Sequence, residues 1–164
     1  MLKFRTMRSV PSGEAPAVTA LGDPRITRIG GVLRRSKLDE LPQLWNVVRG
    51  EMLLVGPRPE DPRYADPADP LHRLVFSERP GITGATALAY RDEERLLANE
   101  AKKLAVASGR EQPGTDDIER AYSQIILPAK LAMDSEYLRT RSTRGDLAIL
   151  GRTIGQVLGR TTRR

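Results

Sequence analysis

The stretch from Ser36 to Gly50 constrains the fold more than any other part of the chain, because it reads as a helix with a proline close to its start. Leu38, Leu41, Leu44, Trp45 and Val48 recur at helical spacing, so they form one face that is expected to be buried. Ser36 followed three places on by Asp39 matches a capping box, and Gly50 suits the stop. Pro42 removes an N–H and crowds the carbonyl four residues back. Either the helix bends there, or it begins at Asp39 with Pro42 in its first turn. Both arrangements leave Asp39 and Glu40 near a helix N-terminus, where unpaired N–H groups and the dipole favour negative charge. Asp39, Gln43 and Asn46 then share a polar stripe away from the Leu/Trp face. A carboxylate beside amide side chains suits a nucleophile, a general base or a metal ligand. Taken alone, however, the pair is explained more simply as a helix cap.

At 164 residues the chain is expected to form one domain with a sizeable core. It has no cysteine, so neither disulfides nor thiolate metal sites can hold it together. No apolar run approaches the roughly 18 residues needed to span a bilayer. Charge is segregated along the chain. Residues 1–58 carry ten Lys and Arg against five Asp and Glu, residues 59–138 ten against fifteen, and residues 139–164 seven against one. Basic ends around an acidic middle suit anionic partners such as phosphates, nucleic acid or an acidic membrane surface.

Residues 1–8 alternate apolar and basic groups and read as a short strand with one cationic face, and residues 9–22 read as a loop. Arg28, Arg34 and Arg35 lie on a short helix before the Asp-Glu stretch, weakened by Gly30 and Gly31. Met52 to Val55 is a buried strand ended by Gly56-Pro57-Arg58-Pro59, where two prolines set the direction of the arginine. Residues 60–78 are expected to be an irregular loop carrying the lone His72, and Arg79 to Gly84 a glycine-rich turn. A helix follows from about Tyr90 to Gly109, and a second, bent at Pro128, carries Ile118 to Tyr137. The segment from Asp146 to Leu158 is amphipathic, with Leu147, Leu150, Ile154, Val157 and Leu158 on one face; Arg152, Arg160, Arg163 and Arg164 supply cations. It suits packing on the core or lying in a membrane interface. The pattern predicts an α+β fold: a single, mostly helical domain with a few short strands and an amphipathic C-terminal helix.

Lys3-Phe4-Arg5-Thr6-Met7-Arg8, Asp23-Pro24-Arg25-Ile26-Thr27-Arg28-Ile29-Gly30, the Asp39-Glu40 stretch, Glu51 to Pro59 and Arg79-Pro80-Gly81-Ile82-Thr83-Gly84 follow one another in order. In that order and spacing the set resembles the bacterial sugar transferases, the monotopic phosphoglycosyl transferases that load a phosphosugar onto polyprenyl phosphate. The resemblance runs from residue 3 to about residue 158 and implies a catalytic domain over residues 1–164, without the N-terminal membrane hairpin that precedes it in the family. It implies transfer of a sugar-1-phosphate from a nucleotide diphosphate sugar, a UDP-sugar being the expected donor, to polyprenyl phosphate. The resemblance also implies that a covalent aspartyl intermediate carries the transfer, and that the transfer initiates exopolysaccharide, capsule, O-antigen or glycoprotein glycan assembly. Carried onto this chain, Asp39 is the nucleophile and Glu40 its general base or metal-supporting partner. Mg²⁺ is the implied cofactor, with Asp39 and Glu40 as ligands. Arg58, Arg79, Arg28 and Arg35 are the expected phosphate contacts, and Gln43, Asn46, Lys3 and Arg5 the supporting residues. The implied location is the cytoplasmic face of the bacterial inner membrane, peripheral in this form, through the membrane surface or a separate membrane subunit, with a soluble cytoplasmic form as the alternative if the chain is truncated.

Two other readings belong to different classes. A basic nucleic-acid-binding module is disfavoured by only seven Phe, Trp and Tyr residues and no recognition motif. An inactive regulatory relative is disfavoured by the intact Asp39, Glu40 and Arg58.

Overall fold

The computed structural model describes residues 1–9, 18–58 and 60–161, with side chains described as far as residue 157. Most of the loop at 9–22, Pro59, the side chains of Leu158 and Arg160, and Arg163 and Arg164 therefore lie outside the described residues. The elements run α1 (Arg28–Ser36), a 3₁₀ turn (Leu38–Glu40), α2 (Gln43–Val48), β1 (Leu53–Val55), a 3₁₀ turn (Pro62–Tyr64), α3 (Pro70–Ser77) and β2 (Gly81–Thr83). Then come α4 (Ala85–Ala89), α5 (Glu93–Ala107), α6 (Thr115–Ala121), a π turn (Tyr122–Ile126), α7 (Leu127–Thr140) and α8 (Thr143–Thr161). This is the expected α+β fold, mostly helical. Its core joins Leu97 and Ala101 of α5 to Ala121, Tyr122, Ile126, Leu127 and Leu131, with Val75 of α3 against them.

β1 and β2 pair in parallel, with Leu53 opposite Gly81 and Val55 opposite Thr83, and α3 lies in the crossover. Glycine is required where this pair meets the turn that follows β1. A Cβ on Gly81 would lie 2.2 Å from the Gly56 nitrogen, and one on Gly84 2.1 Å from the Gly56 oxygen. The close approach is sealed by Gly56 N–H donating to Thr83 O at 2.9 Å and Gly81 N–H donating to Pro57 O at 2.8 Å. Arg58 therefore leaves a turn whose backbone is held on both sides.

The structure reverses the expected orientation of the Asp-Glu stretch. Asp39, Gln43 and Asn46 are buried, whereas Leu38, Leu41, Leu44, Trp45 and Val48 are exposed, Trp45 by 57% and Val48 by 76%. Asn46 shows why. Its Oδ1 accepts from Leu2 N–H at 2.8 Å, its Nδ2 donates to Glu51, and its carbonyl accepts from Glu51 and Met52 N–H. The N-terminal segment and the approach to β1 thus cover the polar stripe. Periodicity reports that two faces differ; it does not say which one faces the protein. Ile29 and Val32 of α1 are exposed as well.

Other expectations are corrected by local chemistry. There is no capping box at Ser36, whose hydroxyl instead donates back to Val32 O and Leu33 O. Lys37 takes a left-handed conformation (φ 59°) and ends α1, so the carboxylates sit in a separate 3₁₀ turn. Pro42 then stands at the N-cap of α2, where its missing N–H costs nothing. Residues 60–78 are not an irregular loop: Asp69 caps Leu71 N–H at 2.7 Å, and Pro70 opens α3. The 79–84 segment contributes β2 rather than only a turn. The N-terminal alternation yields one antiparallel bridge, Met7 to Ile26, not a strand. Pro128 is accommodated by a π turn over the preceding residues, because its ring crowds the carbonyl four places back.

Gly81→Ala is expected to lower stability by about 1–3 kcal/mol, the range for inserting a methyl group into a filled space. Thermal melting followed by circular dichroism measures the effect, and an unchanged melting temperature contradicts the close approach.

Candidate active site

Asp39 is 2% exposed, yet it borders a cleft of about 730 Å³ that lies between the turn after α1 and the start of α5. The 3₁₀ turn is fixed from outside by Phe4 N–H donating to Asp39 O at 3.0 Å, which brings Lys3 over both carboxylates. The Lys3 ammonium stands 3.6 Å from Asp39 Oδ2 and 3.1 Å from Glu40 Oε1. Arg58 Nη2 reaches Glu40 Oε1 at 3.6 Å from the turn after β1. Burial works to raise the Glu40 carboxyl, but Arg58, Lys3 and Lys37 outweigh it and hold it below its ordinary value. The Lys37 ammonium is pushed down by burial and by Arg58, against the pull of Glu40.

Asp39 Oδ1 is buried without a hydrogen-bond partner in the protein. A buried carboxylate oxygen in that condition calls for an incoming cation or for a reacting atom. Among the described residues no group of three or more His, Asp or Glu converges as a metal cage. A cation bound here would take Asp39 and Glu40 from the protein and complete its shell with water and phosphate. That donor set fits Mg²⁺, which keeps several waters and binds through one or two carboxylates.

The other residues singled out from the sequence divide into two groups. Arg35 borders the cleft, as do Lys3 and Arg58. Gln43 and Asn46 are buried in α2, where Asn46 ties down the N-terminal segment. Arg28 and Arg5 are exposed and do not border the cleft. Arg79 lies outside it too, with its guanidinium donating to Gly50 O at 3.0 Å.

The structure adds residues that the sequence reading missed. Lys37, Glu60, Glu93 and Tyr122 all border the cleft. Behind them Lys130 is buried, pairing with Glu60 and with Glu93 at 3.0 Å, while Tyr122 OH donates to Glu60. Asp134, one turn further along α7, accepts from Thr86 Oγ1 at 2.9 Å, and burial pushes its carboxyl up to about 6. A signal for both was available. Lys130 and Asp134 fall at the same helical spacing as Ile126, Leu127 and Leu131, so they occupy positions that face the core.

A family description, bacterial sugar transferase, matches residues 1–160. The chain belongs to the bacterial sugar transferase family. A UDP-galactose-lipid carrier transferase of Erwinia amylovora is 41% identical over 142 residues, covering 84% of this chain and 22% of the relative. The UDP-glucose:undecaprenyl-phosphate glucose-1-phosphate transferase of Caulobacter vibrioides is 35% identical over 161 residues, 96% of this chain and 51% of the relative. The exopolysaccharide production protein ExoY of Rhizobium meliloti is 33% identical over 135 residues, 82% of this chain and 46% of the relative. The chain therefore spans about half the length, or less, of these relatives.

The charge arrangement around Glu40 has a measurable consequence. A carboxyl held below its unfolded value adds stability that is present above that value and lost as pH falls through the folded one. Carboxyl-detected NMR is expected to show Glu40 titrating below an ordinary glutamate, and Arg58→Met or Lys3→Met to move it upward. A Glu40 that does not respond to either variant contradicts the ion pairing.

Proposed function

We propose that this sugar transferase moves a sugar-1-phosphate from a UDP-sugar to polyprenyl phosphate through a covalent intermediate on Asp39. The observation that carries the reading is the Asp39 carboxylate: buried at the cleft edge, flanked by Lys3, and with Oδ1 unpartnered. The names of the relatives from Erwinia amylovora and Caulobacter vibrioides support a UDP-sugar donor, and the second supports an undecaprenyl phosphate acceptor. In the first step an Asp39 oxygen attacks the phosphorus that bears the sugar. A P–O bond forms, the bridging P–O bond breaks, and UMP leaves with the electron pair. In the second step a phosphate oxygen of the polyprenyl acceptor attacks the same phosphorus and releases the Asp39 carboxylate. One difficult displacement becomes two easier ones.

A carboxylate approaching a diphosphate meets like charge, so cations must offset it at short range. Arg58 and Arg35, which border the cleft, would do this, and the Lys3 ammonium stands beside both Asp39 and Glu40. When bound by Asp39 and Glu40, Mg²⁺ would neutralise phosphate charge as it develops on the leaving group. Glu40, held below its ordinary value, stays anionic across the working pH range and acts as a counter-charge rather than as a proton donor.

The acceptor's tail is confined to lipid, which gives the exposed apolar face of α1, the 3₁₀ turn and α2 an occupant. Among the described residues no helix is long and apolar enough to cross a membrane. Ile29, Val32, Leu41, Trp45 and Val48 instead enter the interfacial layer of an anionic cytoplasmic membrane, with exposed Arg28 beside them on α1. This apolar contact adds to the roughly 1 kcal/mol per cation expected from the basic ends of the chain.

Asp39→Asn is expected to leave the circular dichroism spectrum unchanged and to lower UMP release by about a thousandfold or more, since the amide is no nucleophile. Incubation with UDP-sugars, Mg²⁺ and polyprenyl phosphate in detergent reads the release; a variant that keeps most of its turnover overturns the assignment. Trp45 is the single tryptophan, so its fluorescence reports the membrane contact directly. A blue shift is expected with anionic vesicles, persisting in part at high salt, and Val48→Glu should weaken partition by about tenfold. No spectral change at any vesicle concentration rejects the lipid-facing surface.

A further inference from the structure

Lys130 has 1% of its surface exposed, and it does not border the cleft. Yet each carboxylate it holds does. Its ammonium pairs with Glu60, on the segment after β1, and with both oxygens of Glu93, at the start of α5, at 3.0 and 3.2 Å. It lies 5.4 Å from the centre of the Tyr122 ring, and the Tyr122 hydroxyl donates to Glu60. Asp134, on the same helix, is the other acidic group near it. A lysine is seldom buried so completely unless its partners need it there.

The neighbour that gives this cluster a purpose is Arg58. Burial disfavours its charge, and Glu40, Glu93 and Glu60 together outweigh that cost. Arg58 thus stands between two demands: Glu40 at 3.6 Å on the catalytic side, and the Glu60 and Glu93 carboxylates on the other. Without a competing cation those two carboxylates would draw the guanidinium away from Glu40. They would also present uncompensated negative charge to any phosphate entering the cleft.

We propose that Lys130 is a positioning residue of the cleft: by occupying Glu60 and Glu93 from behind, it leaves the Arg58 guanidinium directed at Glu40 and at the entering diphosphate. The inference rests on the diphosphate-binding reading of the cleft given above. It assigns to α7 a function beyond packing, because the ammonium is the only charge that helix sends between the two carboxylates among the described residues.

The test compares wild type, Lys130→Met and the Glu60→Gln/Lys130→Met double variant. UMP release from a UDP-sugar with polyprenyl phosphate and UDP affinity by titration calorimetry are measured from pH 5.5 to 8, with folding checked by circular dichroism. Lys130→Met should lose about tenfold or more in both release and UDP affinity at pH 7.5. Part of the loss should return as pH falls, since a carboxyl stranded without its cation is neutralised by protonation. The double variant, with one of the two charges removed, should recover most of the loss at pH 7.5 without needing acid. If Lys130→Met does not fold, the double variant alone decides, because it fills the same core space and removes one of the two stranded charges. A folded Lys130→Met with wild-type affinity, or a folded double variant as impaired as the single one, overturns the positioning role. The UDP titration judges Lys130 even if wild type releases no UMP, which would reject the transfer reaction alone. A wild type that neither releases UMP nor binds UDP rejects both.

Discussion

Burial is costly for a pair of carboxylates unless cations stand close to it, and at Asp39 and Glu40 much of the described structure serves that demand. Lys3 arrives from the N-terminal segment, Lys37 from the left-handed residue that ends α1, and Arg58 from the turn after β1. Each comes from a different part of the chain, so the site exists only when all three segments are docked. Phe4 and Leu2 dock the first through backbone N–H groups, onto Asp39 O and Asn46 Oδ1. The parallel strand pair docks the third, through glycines that let backbone meet backbone. The small sheet is therefore less a structural layer than a clamp on one arginine.

The same demand accounts for the reversed face of α2. Burying Asp39, Gln43 and Asn46 commits the polar stripe to the protein interior, and the opposite stripe must then face outward. In a wholly soluble protein an exposed row of Leu41, Leu44, Trp45 and Val48 would be a liability. In the function proposed above, this arrangement would set the Asp39 carboxylate beneath the surface that meets lipid. The buried carboxylate and the exposed apolar stripe are thus two consequences of one helix orientation.

A second layer of charge lies behind the cleft. Lys130, Glu60, Glu93 and Tyr122 form a compact buried network whose acidic members reach the cleft and whose cation does not. Such networks are costly unless every member is partnered. Here the carboxylates are partnered from the core side, while Lys3, Lys37 and Arg58 stand at the cleft edge. Asp134 and Thr86 extend the buried polar layer along α7 toward the β2–α4 junction.

Several parts of this architecture were legible in the residues themselves. The ordered motifs identified the family, the α+β class followed from the periodicities, and Asp39, Glu40, Lys3, Arg35 and Arg58 do meet at one cleft. Local chemistry also explains what was misread: Asp69 and Pro70 start a helix where composition suggested a loop, and Pro128 is absorbed by a π turn. Arg79 was singled out by its motif, but its partner, Gly50 O, lies 29 residues away and belongs to no local pattern. The direction in which α2 faces was likewise undetermined, because a helical repeat of leucines is the same whether lipid or protein covers it. The sequence by itself thus determined which residues carry charge and which stripes are apolar. Tertiary structure alone decided which stripe was buried, since burial depends on what the N-terminal segment and the glycine-clamped strands bring against it.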